Sequence, residues 1–190
     1  MTQLQSNRQF PGMGDSSIEF FISDKETKMI QNGNVIPFCE IPLSIIKLLD
    51  EVIQADININ MELHDMHPFS KTKRIEQFAR CRFGGLDFVG DIKDGQLQDG
   101  EYHDCPKRGN CKSDGILCKL PSYNGQKLSS QDVYLMQHLS TPKTNDVIAD
   151  EMHLPMGSFH KAHRQLYDKL GIQTKQENTR IAFSLNLIQL

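Results

Sequence analysis

No run of apolar residues in this 190-residue chain reaches the roughly 18 needed to cross a bilayer, so a membrane-spanning helix is not expected. The opening MTQLQSNRQF lacks the apolar stretch of a secretory signal, which leads to the expectation of a cytoplasmic protein. In such a reducing compartment disulfides are disfavoured. A Gly-rich phosphate loop, a nucleophile elbow and paired metal-binding motifs are all missing, and no enzyme is expected. Alternating strands and helices of a phosphorylated receiver are absent too, and residues 38–121 are short for a small-molecule-sensing α/β/α domain. There is no internal repeat, heptad run or low-complexity tract. Neither charge sign dominates: 21 Lys and Arg stand against 24 Asp and Glu, a net charge of −3. Counting from Ser122 gives seven Lys and Arg against six Asp and Glu, leaving 14 against 18 before it. Any affinity for phosphates must therefore come from local clustering of cations.

What is present falls into three stretches. Residues 1–37 read as a flexible leader that frays, with a short hairpin pairing IEFFISD with VIPF across the QNGN turn. Residues 38–121 form a small α+β module. Within it, Ile41–Ile57 carries a helical stripe of Ile45, Leu48, Leu49, Val52 and Ile53, with Ser44 as its expected N-cap. A second helix begins near Pro68 or Ser70, places Ile75, Phe78, Ala79 and Arg82 at helical spacing, and ends at Gly84-Gly85. Beyond it the chain turns on repeated Asp-Gly pairs as far as Gly125. That stretch has few residues able to build a core, so something else must hold it.

The five cysteines supply one answer. Cys105, Cys111 and Cys118 are spaced by five and six residues, with Cys81 upstream at the end of a predicted helix. Four thiolates suit tetrahedral zinc at about 2.3 Å, and Lys107, Arg108, Lys112 and Lys119 would offset their charge. His103 could replace Cys81. A structural zinc is the first expectation. An iron–sulfur cluster, also held by cysteines, is the alternative and would make the chain a redox or iron sensor. A redox-active disulfide and unliganded core cysteines stay open. Cys39 reads as a buried small hydrophobe, and His64 and His67 as surface or capping residues.

Residues 122–190 return to helical periodicity in four segments: SSQDVYLMQHL, TNDVIADEMHL, PMGSFHKAHRQLYDKL and ENTRIAFSLNLI. In the second, Val147, Ile148 and Met152 make the expected buried stripe, with Thr144 and Asn145 as caps. Pro155 ends that helix and opens the next. There Phe159, Leu166 and Leu170 face inward, His160, Lys161, Arg164 and Lys169 outward, and Gly171 is the stop. His163 is expected to pack against the preceding helix. Two helices joined tightly, the second with an outward cationic strip, are what a major groove admits. A generic amphipathic helix pair has the same periodicity.

Over about residues 128–186 the chain resembles the C-terminal DNA-binding domain of the LuxR-type (GerE-like) regulators. LSSQDVYLMQHL resembles the family's Leu-Thr-x-x-Glu-x-x-Val-Leu helix, and TNDVIADEMHL its Ser-Asn-x-x-Ile-Ala-x-x-Leu. SFHKAHRQLYDKLGI resembles Thr-Val-Lys-x-His-x-x-x-Ile-x-x-Lys-Leu-Gly-Val, without a gap. Departures are His160 for the usual Lys, Ala162 for His, His163 for an apolar residue, and TPKTN for the Gly-containing turn. The resemblance implies a helix-turn-helix, a bacterial or phage transcription regulator, and binding to double-stranded DNA, with a homodimer as a further partner. It puts His160, Lys161 and Arg164 toward bases and Asn145, Ser158 and Lys169 near phosphates. A contrasting reading is an assembly factor whose sigma-like helical domain contacts protein, with RNA polymerase as its partner. The expected fold class is thus mainly α: a four-helix helix-turn-helix domain plus a small α+β module with a Cys-rich, metal-type loop.

Overall fold

The structure, a computed structural model, describes residues 9–188. Among them are seven α-helices and three small antiparallel sheets, so the chain is mainly α with minor β content. It divides into two compact units, Met1–Lys119 and Leu120–Leu190. Among the described residues, no helix is long and apolar enough to cross a membrane.

The first unit opens with a three-stranded meander: β1 (Glu19–Ser23), β2 (Glu26–Gln31) and β3 (Asn34–Pro37). The register pairs Phe20 with Met29 and Met29 with Ile36. The expected hairpin omitted β2, and IEFFISD pairs with ETKMIQ rather than VIPF. The cause is a second turn, at Asp24-Lys25, where both residues take positive φ (55° and 67°). That is the two-residue geometry that suits strand twist, here without the Asn-Gly pair that usually advertises it. Nor does this described part of the leader fray: Phe20 and Met29 are fully buried. Residues 1–8, the rest of the expected leader's opening, lie outside the described residues.

Three helices close over the sheet. α1 (Leu43–Ala55) buries Ile45, Leu49 and Ile53, with Leu48 and Val52 packed beside them. Its N-cap is Pro42, so Ser44 lies inside the helix and caps nothing. A helix not expected from the sequence follows, α2 (Ile57–Met66), capped by Asp56, whose carboxylate accepts from the Asn58 and Ile59 amides. His64 sits on its exposed side and His67 is its C-cap. α3 (Lys71–Arg82) starts from the Ser70 cap and buries Ile75, Phe78, Ala79 and Arg82, the four positions expected from its spacing. Phe78, Phe83 and Phe20 form an aromatic contact chain at 6.1 Å between successive rings. Cys39 is exposed rather than buried. It lies in the 3-10 turn Phe38–Glu40, where Phe38 takes the inward position.

From Gly84 to Lys119 the only strands are two-residue pieces, β4 (Ile92–Lys93) and β5 (Gln96–Leu97). Ile92, Tyr102 and Leu117 are the apolar side chains that this stretch buries.

The second unit begins with β6 (Ser122–Tyr123) and β7 (Gln126–Lys127) and continues as four helices: α4 (Ser130–Leu139), α5 (Asn145–Glu151), α6 (Met156–Leu170) and α7 (Lys175–Ser184). α4 and α7 each start from a complete capping box, Ser129 with Asp132 and Thr174 with Glu177, which satisfies amides that a helix start leaves orphaned. Ile148, Ala149, Phe159, Leu166 and Leu170 meet Val133, Leu135, Met136 and Ile181 in the core. The fully buried Asn178 of α7 donates to the Met136 carbonyl at 3.0 Å and to Ser140 Oγ at 3.1 Å, tying α7 to the end of α4.

Candidate nucleic-acid interface and cysteine site

α5 and α6 are joined by Met152–Pro155. Met152 is the C-cap of α5, His153 takes φ of 53°, and the Leu154 amide donates to the Ala149 carbonyl at 2.9 Å. A left-handed residue at this point reverses the chain within one turn, and Pro155 as N-cap sets α6 off on a new axis. α6 ends on Gly171 at φ of 68°, the expected stop.

α6 keeps Phe159, Leu166 and Leu170 inward and leaves Ser158, His160, Lys161, Arg164 and Gln165 exposed on its outer side. Lys161 and Arg164 form no ion pair or hydrogen bond within the described chain. Gln165 was not singled out in the sequence, yet it belongs to the same outer face. Its signal was available as the i+4 neighbour of Lys161.

Lys169 departs from expectation. Its ammonium is held by Asp132 of α4 at 2.7 Å, with both side chains largely buried. Burial would raise the Asp132 carboxyl, but the hydrogen bonds from Lys169 and Ser129 hold it below the usual carboxylate range. Lys169 therefore braces α6 against α4 instead of reaching outward. Two other lysines are also engaged: Lys143 with Glu151 at 2.7 Å, and Lys175 with the Lys143 carbonyl at 3.0 Å.

Asn145 is the first residue of α5 and is half-buried. Neither it nor Thr144 makes a side-chain cap, contrary to expectation, and Asn145 Oδ1 is buried without a partner. Val147 is 46% exposed, so it is not part of the α5 stripe. The helix is only seven residues long and turns just Ile148 and Ala149 fully inward. His163 stacks on Tyr167 and Phe159 of its own helix, with ring centroids at 4.0 and 5.9 Å. Burial, then Lys175 and His160, push its pKa down.

In the first unit, the charges of Cys105, Cys111 and Cys118 all reach Cys81 across the fold. Arg82, next to Cys81, is buried and donates to the Leu117 carbonyl at 2.8 Å and the Ile116 carbonyl at 3.0 Å. That fixes the segment bearing Cys118 against the end of α3. Arg108 stacks over Tyr102 at 4.4 Å, pairs with Asp114 at 3.6 Å and points a guanidinium N–H at Cys118 Sγ, 3.8 Å away. Its own amide donates to the Cys105 carbonyl, and the Asp114 amide to the Cys111 carbonyl. Gln77 Nε2 donates to Cys81 Sγ at 3.0 Å. Burial pushes the Cys81 thiol up, and Cys118, Cys105 and Cys111 add to the rise. Each of the three is thus within electrostatic reach of Cys81. Among the described residues, however, no three of these sulfurs lie within 4.8 Å of one another. His103 is buried, its Nδ1 has no partner, and burial lowers its pKa to about 4. Its carbonyl accepts from the Cys105 amide and from Arg108 Nη2, so it shapes the loop through its backbone.

A second cluster was not anticipated. Glu19, Asp87 and Glu101 each bring a carboxylate oxygen within 4.8 Å of the others, a spacing one cation could bridge. Glu19 accepts from the Asp87 amide at 2.9 Å, Glu101 from the Gly85 amide at 2.6 Å, and the neighbouring Asp91 from the Phe20 amide at 2.7 Å. Burial, then the charge of Asp91, push Glu19 up to about 10; burial, then Asp91, Asp87 and Glu19, push Glu101 up to about 11. Burial also raises Asp91. Nothing in the local sequence around each acid signals this, because the three segments meet only in the fold.

No family model, curated protein or solved structure matches the chain.

Proposed function

We propose that the chain is a DNA-binding transcription regulator that reads duplex DNA with the outer face of α6. What carries the reading is the distribution of cations in the second unit. Of its seven Lys and Arg, Lys143, Lys169 and Lys175 are engaged internally; Lys127, Lys161, Arg164 and Arg180 are exposed, and of these Lys161 and Arg164 share the outer face of α6. Local clustering of cations is what phosphate affinity needs, and α6 offers two on one face.

On this reading Arg164 places two parallel N–H donors against guanine O6 and N7. Lys161 meets a base edge or a phosphate, and His160 lies beside them. Ser158 and Asn145 sit where the phosphate backbone would pass, and Lys169 acts from behind by fixing the tilt of α6 on α4. In the same reading the four cysteines hold a metal that organises the loops of residues 84–119 rather than a reaction centre.

The test is binding of the full chain to random duplex DNA at low salt, with and without the double substitution Lys161→Ala and Arg164→Ala. We expect binding by the unaltered chain and at least about a tenfold loss in the variant, with its circular dichroism unchanged. A chain that binds no duplex at low salt contradicts the proposal. A double variant that binds as well as the original contradicts this interface, and retention of purified RNA polymerase in place of DNA would favour the assembly-factor reading.

A further inference from the structure

We infer that Glu19, Asp87 and Glu101 form a calcium site that ties the turn-rich stretch after α3 to the start of β1. The site owes nothing to α6 and would stand if the DNA-binding reading fell.

Each of the three acids brings one carboxylate oxygen within 4.8 Å of the other two. Two oxygens on opposite sides of a calcium ion, about 2.4 Å from each, stand about 4.8 Å apart. A group no wider than that is of the size one ion can bridge. The group is also short of partners. Glu19 is fully buried, yet its Oε2 has no hydrogen-bond partner, and Glu101 Oε2 is buried without one as well. A fourth acid, Asp91, is only 2% exposed and close enough to act on both glutamates. Among the described residues, none of these four acids forms an ion pair. Buried charges in proteins are either paired or coordinate a metal, and here the first course is not taken. Burial, then the charge of Asp91, pushes Glu19 and Glu101 up, so in calcium-free buffer protons stand in for the ion.

The backbone presets these carboxyls. The Asp91 amide donates to the Ile18 carbonyl at 2.8 Å and the Gln98 amide to the Asp91 carbonyl at 2.7 Å, which lines both residues up beside the start of β1. The Glu101 amide donates to the Arg82 carbonyl at 3.1 Å, and a Cβ added at Gly100 would run into the Arg82 side chain. Glu101 is thus led in past the end of α3. The Asp87 amide then holds Glu19 through Oε1, and the Gly85 amide holds Glu101 through Oε1, leaving Oε2 of each available. The ligands select the ion. Carboxylates are hard oxygen donors that suit calcium, magnesium and manganese. Magnesium keeps several waters and takes one or two carboxylates, whereas calcium accepts more oxygens in a flexible geometry, some carboxylates binding through both. Three acids, one of them sealed from solvent, suit calcium.

The experiment uses the full chain, dialysed into calcium-free buffer near neutral pH and titrated with calcium chloride by calorimetry. We expect about one ion per chain with a dissociation constant below about 1 mM. Hydrogen exchange in residues 84–101 should slow on calcium addition while α4 to α7 stay unchanged. Asp87→Asn and Glu101→Gln keep the shape of each side chain and remove its charge, and each should weaken binding at least about tenfold. Asp94→Asn, in an exposed turn outside the group, should leave binding as it was. Cysteine thiolates are soft ligands that do not favour calcium, so they do not mimic the result. Because a ligand variant can loosen the loops, the unaltered chain decides the matter. A folded chain that takes up no calcium at about 10 mM, well above the range of protein calcium sites, would overturn the site and leave the acids sharing protons. Calcium bound equally well by both ligand variants would overturn it too, and magnesium bound at least as tightly would overturn the choice of ion.

Discussion

The two units are built by opposite means. In the second, helices with regular apolar faces pack together, two capping boxes close helix starts, and the one large polar side chain at the centre, Asn178, has partners for its amide nitrogen. In the first, a sheet and three helices give a core, but residues 84–119 are fastened largely by polar groups: the buried Arg82, Glu19 and Asp91 and the half-buried Glu101. Apolar packing tolerates change by degrees, whereas a buried charge that loses its partner is costly at once. The difference should be visible in how each unit fails.

The largest effect should come from Arg82→Ala. It removes donors to the Ile116 and Leu117 carbonyls and leaves them buried, at a cost of about 3 kcal/mol. Hydrogen exchange should show loss of protection in residues 84–119, with α4 to α7 still protected. Equal loss in both units would erase the distinction between them.

Next in size is the response to pH, with opposite sign in the two units. Glu19 releases its proton at 4.5 when unfolded and near about 10 when folded, and Glu101 at 4.5 and about 11. Between those limits the folded chain binds more protons than the unfolded chain. Their contribution is complete below 4.5 and is lost as pH rises through the folded values, so the first unit should weaken on the alkaline side. The Asp132 carboxyl is instead held below its ordinary 3.8. Its contribution is present above that value and lost as pH falls through the folded one, so the second unit should weaken in acid. Residue-resolved exchange across the pH range checks both slopes, and Glu19→Gln should flatten the alkaline one. A first unit equally stable at about pH 5 and about pH 9 would remove the basis for protonated buried carboxyls.

A smaller effect is expected from Asp132→Asn. It takes away the charge that holds Lys169 and weakens the α4 capping box, for about 1 kcal/mol in thermal unfolding of the second unit. Smallest is His153→Gly in the turn between α5 and α6. His153 sits at φ of 53°, where glycine carries no steric penalty, so the variant should gain up to about 1 kcal/mol. A loss of stability there would mean that the His153 side chain contributes something its geometry does not reveal.

The same contrast explains what could be read from the sequence. α4 to α7 follow from 3.6-residue spacing and from punctuation at Pro155 and Gly171, and α1 and α3 follow likewise, down to the inward Arg82. α2 was missed because it buries only Ile59 and Leu63 out of ten residues, too faint a stripe to stand out. β2 was missed because its turn is Asp24-Lys25, which lacks the glycine at the second position that usually marks such a turn. At the candidate interface the outward positions of Lys161 and Arg164 were legible, but the capture of Lys169 by Asp132 was not. Those residues are 37 positions apart, and only the packing of α6 on α4 makes them neighbours. The carboxyl cluster was invisible for the same reason. Glu19, Asp87 and Glu101 belong to three separate segments, and each alone reads as a solvated charge.

The central claim is that the outer face of α6 meets the DNA backbone and bases, and the slope of duplex binding against salt tests it most directly. The account predicts that the logarithm of affinity falls linearly with the logarithm of salt concentration. The slope should become shallower by about one for each phosphate-contacting cation removed at Lys161 or Arg164. Affinity for duplex DNA that is indifferent to salt, or a slope unchanged by the double substitution, would contradict it.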